Sequence, residues 1–146
     1  MSIRILATYL VLTFFSYAYA QDQASHGLIS SANPEAEVYI LSPKHNQIVS
    51  SPVKVVFGAS NVNIVAAGDN QPNSGHHHLL VDLTELPDLS MPLPATEQII
   101  HFGNAQSDTE IELAPGTHTL QLLLGDYLHI PHQKPLISEK ITIIVE

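Results

Sequence analysis

An all-β fold, an antiparallel immunoglobulin-like β-sandwich of about seven strands, is what this sequence predicts, and three observations carry the prediction. Apolar residues recur at every second position in short runs, and turn residues interrupt those runs at regular intervals. Beyond residue 20, no stretch sustains the 3.6-residue apolar period of a helix. Seven short strands with such spacing, and no helix between them, suit two packed antiparallel sheets.

The elements follow in order. Residues 1–20 read as a signal peptide: Arg4 gives a positive start, an apolar run follows, and Ala18-Tyr19-Ala20 offers a cleavage site before Gln21. The run is shorter than the roughly 20 apolar residues a membrane span needs. No cysteine follows it, so it is not a lipoprotein leader. The expected product is periplasmic or secreted, with no membrane insertion after cleavage. Residues 21–36 are polar and aperiodic and are expected to be a mobile N-terminal tail. The sandwich domain is expected over 37–146.

The first strand is Val38-Tyr39-Ile40-Leu41, closed by Ser42-Pro43. In the second, Val53, Val55 and Phe57 alternate with Lys54 and Val56. The third starts at His76 and ends at Asp82. Pro87, Pro92 and Pro94 then break the chain too often for a helix and mark a crossing loop. The fourth strand, 97–102, stops at Gly103-Asn104. Thr109, Ile111 and Leu113 set the fifth, ended by Pro115-Gly116. Leu120, Leu122 and Leu124 share one face of the sixth, 117–126, and Ile141, Ile143 and Val145 share one face of the last.

Charge and composition narrow the chemistry. Without residues 1–20, four basic residues stand against fourteen acidic ones, a balance hostile to nucleic acid and to anionic membrane surfaces. There are no cysteines, so any transition-metal site must be built from imidazole and carboxylate. Nine histidines are available, and all of them follow residue 20.

With the usual two-sheet connectivity, six of the nine converge on one end of the sandwich. His76, His77 and His78 open the third strand, His101 closes the fourth, and His129 and His132 lie in the loop after the sixth. Alternation puts His76 and His78 on one face and His77 on the other. An i, i+2 pair can chelate one ion, and His101, His129 and His132 could complete the set. His77, Asp69 and Asp126 are secondary candidates, the two aspartates as ligands or as acceptors that fix an imidazole tautomer. Imidazole donors suit copper or zinc. The absence of cysteine, with Met91 placed on the far side as the single methionine after residue 20, argues against a soft Cu(I) site. A solvated histidine cluster is the plain alternative. Calcium at Asp69, Asn70 and Asn73 is a minor variant.

His118 is in phase with Leu120, Leu122 and Leu124 and belongs to the opposite end. It is expected to be a structural residue that bonds a backbone group. His45 in a turn and His26 in the tail carry no signal.

The runs "SGHHHLLVD", "HFG", "LAPGTHTLQLLLGD", "HIPH" and "SEKITI", in this order, resemble a family of exported bacterial domains catalogued as domain of unknown function 4399. The resemblance spans roughly residues 38–145. It implies a small secreted or periplasmic protein and implies no reaction. The loop after "HFG" reads Asn104-Ala105-Gln106-Ser107, where the family is richer in Gly and Thr.

Catalysis finds no constellation here. There is no G-x-S-x-G elbow and no cysteine nucleophile. His76, His78 and the "PGTH" run faintly suggest a cupin barrel, but the acidic residue arrives too late, at Glu85. The expectation is a metal-binding protein and not an enzyme. The competing expectation is an immunoglobulin-like interaction module for a glycan or a protein partner.

Overall fold

The computed structural model describes residues 29–146, so the expected signal peptide and residues 21–28, with His26, lie outside the described residues. Among the described residues there is no helix, and none is long and apolar enough to cross a membrane. Nine strands are present in that span: β1 (Glu37–Ser42), β2 (Gln47–Val49), β3 (Val53–Ser60), β4 (Asn63–Ile64), β5 (Ser74–Val81), β6 (Ile99–His101), β7 (Asp108–Ile111), β8 (Gly116–Gly125) and β9 (Ile141–Val145).

They form two sheets. The smaller is antiparallel, in the order β1-β3-β7. The larger has the order β2-β9-β8-β5-β4, with β6 also paired to β5, and it curls as a half-barrel. This sheet is mixed, because β2 runs parallel to β9 and β4 parallel to β5. The expectation of a wholly antiparallel sandwich is therefore corrected. β2 and β4 are only three and two residues long, too short to leave a period in the sequence.

The alternation read from the sequence sets the layers. Leu79 and Val81 of β5 and Leu120, Leu122 and Leu124 of β8 turn inward, onto Val53, Val55 and Phe57 of β3. Fully burying each such side chain contributes roughly 1.5–3 kcal/mol. Ile143 and Val145 of β9 close the same core.

The outer face of the larger sheet is also covered. Leu80, Ile99 and Leu123 pack there with Leu93, which belongs to the proline-rich crossing loop. Both faces of β5 are thus shielded, and every residue of it is buried. The histidines at its start are buried with the rest.

Two loop segments frame that region. Beyond β8, the chain turns and bridges back, with Pro131 opposite Gly125 and Ile137 opposite Leu123, continuing the line of β9 along β8. From Ser30 onward, the segment read as a mobile tail is tied down. Ser30 accepts from the Gln133 N–H (2.9 Å), Asn33 N–H donates to the Asn73 side chain (2.7 Å), and Ala36 enters the core.

Candidate metal centre

Strand pairing assembles the centre. His76 and His78 share the outer face of β5, and His101 of β6 stands directly opposite His78 in the register. On the other side of β5, His76 pairs with Gly125 of β8, where the missing side chain leaves room for the rings. A β-carbon on Gly125 would lie 2.8 Å from Cε1 of His78. One on Gly103 would lie 2.4 Å from Cε1 and 2.9 Å from Nε2 of His101. At either position an added side chain would press on an imidazole ring.

The fourth ring comes from the turn after β8. His129 adopts a left-handed backbone conformation, with φ of 68°. Its ring centroid lies 4.8 Å from that of His76, 4.8 Å from His101 and 6.0 Å from His78. The other three rings are separated by 4.9 to 5.2 Å. One ligand nitrogen from each of His76, His78 and His101 lies within 4.8 Å of the others. These three histidines could hold a metal ion.

The polar accounting of the cluster is unusual. Both ring nitrogens of His76, both of His78, and Nε2 of His101 are buried without a hydrogen-bond partner. Leaving a buried polar group unpaired costs about 1–3 kcal/mol. Leucine at these positions would avoid that cost. Nitrogen lone pairs that converge on one another are instead what a cation requires.

Electrostatics keeps the rings in the ligating state. Burial, with help from the neighbouring imidazoles, pushes His76 down to about 4 and His78 down to about 3. Burial first, then His129, lowers His101 as well. Neutral imidazole is the form that binds metal.

The remaining sequence candidates go elsewhere. His77 faces the sandwich core, its ring 5.1 Å from that of Phe57, and burial holds its pKa at about 4. His132 does not join the four rings: its Nε2–H donates to the Ser74 carbonyl (3.0 Å). Two residues after Ile130 in the same loop, it is turned toward the start of β5 and away from the cluster. Asp69 is exposed and accepts from Gln71 (2.7 Å). Asn73 is committed to Asn33 and Asn61, so the loop 68–75 does not gather oxygens for calcium. Asp126 is buried, and its carboxylate accepts only from Leu128, Ile130 and Ser30. Neither aspartate reaches an imidazole with a hydrogen bond.

Three details escaped sequence reasoning. The close approach at Gly103 and Gly125 becomes visible only once the register is known. Met91 is not on the far side, since its loop reaches the histidine turn, where Leu93 N–H donates to the His129 carbonyl (2.9 Å). His45 pins its turn by accepting from Thr142 N–H (3.1 Å).

His118 does bond a backbone group, the Ala114 carbonyl at 2.8 Å. It also meets Asp82, with Nδ1 2.6 Å from the carboxylate. That bond to Asp82 is the main reason its pKa is raised.

No curated protein and no solved structure matches this chain. The family model described as "Domain of unknown function (DUF4399)" matches residues 55–146, a span holding β5, β6, β8, β9 and all four clustered histidines, and the chain belongs to that family.

Proposed function

We propose that this is an exported, periplasmic or secreted, immunoglobulin-like β-sandwich protein that binds copper or zinc. The ligands are His76, His78 and His101, with His129 as the fourth. The observation that carries the reading is the set of buried, unpartnered imidazole nitrogens converging from β5 and β6. A donor set of neutral imidazoles without thiolate suits Cu(II) and Zn(II), and general affinity trends favour Cu(II) of the two. The signal-like residues 1–20 and the acidic balance support an exported, cation-tolerant protein. The role is binding and not catalysis.

His76 and His101 are 25 positions apart in the chain, so only the folded sheet brings them together. Titration of Cu(II) and Zn(II) into the untagged protein, with and without urea, tests this. Folded protein is expected to bind one equivalent, and to gain about 2.7 kcal/mol of stability at an ion concentration one hundred times Kd. Single His76→Ala and His101→Ala changes should each lose most of the affinity, and the double change little more. Binding by urea-denatured protein as tight as by the folded form sinks the site.

One observation favours the second reading, an interaction module for a glycan or protein. A groove of about 460 Å³ runs between β1 and residues 134–141. Tyr39 and Leu41 of β1 are exposed nearby in the chain.

A further inference from the structure

Asp126 is buried just past the end of β8 and bonds to none of the imidazoles. Its Oδ1 accepts from the backbone N–H groups of Leu128 (2.9 Å) and Ile130 (3.0 Å), the residues on either side of His129. The main chain closes the same turn. Asp126 N–H donates to the Ile130 carbonyl, and His129 N–H donates to the Asp126 carbonyl, both at 2.9 Å. This ring of bonds holds His129 at a positive φ that a residue with a β-carbon adopts only at a cost of order 1 kcal/mol. The other carboxylate oxygen accepts from the Ser30 hydroxyl at 2.9 Å, which ties the turn to the N-terminal segment.

Three of the four clustered imidazoles stand on paired strands, and only His129 depends on a turn. We propose that Asp126 is the positioning residue of the metal site, holding the turn so that His129 stands beside His76 and His101 as the fourth, exchangeable donor. The inference rests on the metal-binding reading. The bond to Ser30 extends the hold, so that loosening residues 30–33 loosens the fourth ligand while the strand-borne three keep their places. An ion would then leave through the part-exposed side formed by His101 and His129, with His129 released first.

A buried carboxylate also acts through space, and its charge is felt at His76. Position and charge are separated by a double-mutant comparison in the full chain. Zn(II) is loaded, and its release to an excess of chelator is timed for wild type, Asp126→Asn, Ser30→Ala, His129→Ala and the two double variants. Asp126→Asn is expected to release Zn(II) about tenfold faster or more, in line with changes to groups that orient ligands. Ser30→Ala should shift release in the same direction by less. Neither change should alter release in the His129→Ala background. In metal-free Asp126→Asn, amide exchange at Leu128 and Ile130 should also quicken.

An Asp126→Asn effect of equal size with and without His129 overturns the positioning role and assigns the effect to charge. If Asp126→Asn does not fold, Ser30→Ala, which removes one of the three bonds, carries the same comparison with the same two outcomes. Wild type that binds neither Zn(II) nor Cu(II) overturns the metal reading and this inference together. Wild type that binds, with additive variants, overturns only the inference.

Discussion

At the scale of the residue, the eight histidines among the described residues share one chemistry and have different environments because burial and partners differ. His76, His78 and His101 could be singled out in the sequence, since alternation and strand ends place them. The choice between His129 and His132 could not be made there. Both lie in one aperiodic loop, and only the turn closed by Asp126 decides which ring joins the cluster. His118 shows the opposite regime, between the Asp82 carboxylate and the Ala114 carbonyl. Two acceptors favour the imidazolium, so its folded pKa is raised above the unfolded value near 6.5. Its stabilisation is therefore complete below about pH 6.5 and is lost as pH rises through the folded value. His118→Ala should cost about 1–3 kcal/mol at pH 6 and less at pH 9. Urea unfolding at both pH values checks this, and Zn(II) affinity of the folded variant should be nearly unchanged. A cost that grows with pH would contradict the assignment.

At the scale of the element, β5 with β6 and the turn after β8 is the working unit. Its apolar run Leu79-Leu80-Val81, following "HHH" and ended by Asp82, was legible as a short strand, and its lack of alternation fits a strand buried on both faces. The pairing of β6 with β5 was not legible, because pairing partners leave no local period. The parallel strands β2 and β4 were hidden because three and two residues are too few to leave a period. Gly103 offers an element-scale test, because an added side chain just after β6 would meet the His101 ring. In Gly103→Ala the new methyl meets the end of the His101 ring, a group that can swing aside, while the backbone around it stays put. The melting temperature should change by only a few degrees, and Zn(II) affinity should fall about tenfold or more. Calorimetry beside a metal titration reads both. Unchanged affinity would mean that His101 is not a ligand.

At the scale of the whole molecule, the histidines that fill the larger sheet make the fold acid-sensitive. His76 and His77 titrate at about 4 and His78 at about 3 in the folded state, against about 6.5 unfolded. The unfolded chain therefore takes up protons first, and stability falls as pH drops from about 6.5 toward 4. Each such histidine can remove up to about 1.4 kcal/mol per pH unit within that window. Metal-free protein should accordingly lose several degrees of melting temperature per unit between pH 6 and 4.5. His77→Leu should soften the loss without touching ion binding, since His77 faces Phe57 in the core and not the other rings. A flat profile from pH 7 to 4.5 would contradict the buried placement. The all-β class was readable from alternation and turns. The division into sheets was not, because it depends on contacts between runs distant in the chain.

The three consecutive histidines of β5 have one more consequence, for how the chain finds its fold. Along the unfolded chain these residues are equivalent, and only the pleat sorts them, sending His76 and His78 outward and His77 to the core. A slip of one residue between β5 and either neighbour would reverse that sorting and set His101 opposite a ring on the wrong face. Misregistered chains would present an incomplete donor set, and correctly registered ones a complete set. An ion that bound only the complete set would reward the right pairing and ignore the wrong ones, so the cluster would then act as a proofreader of strand register.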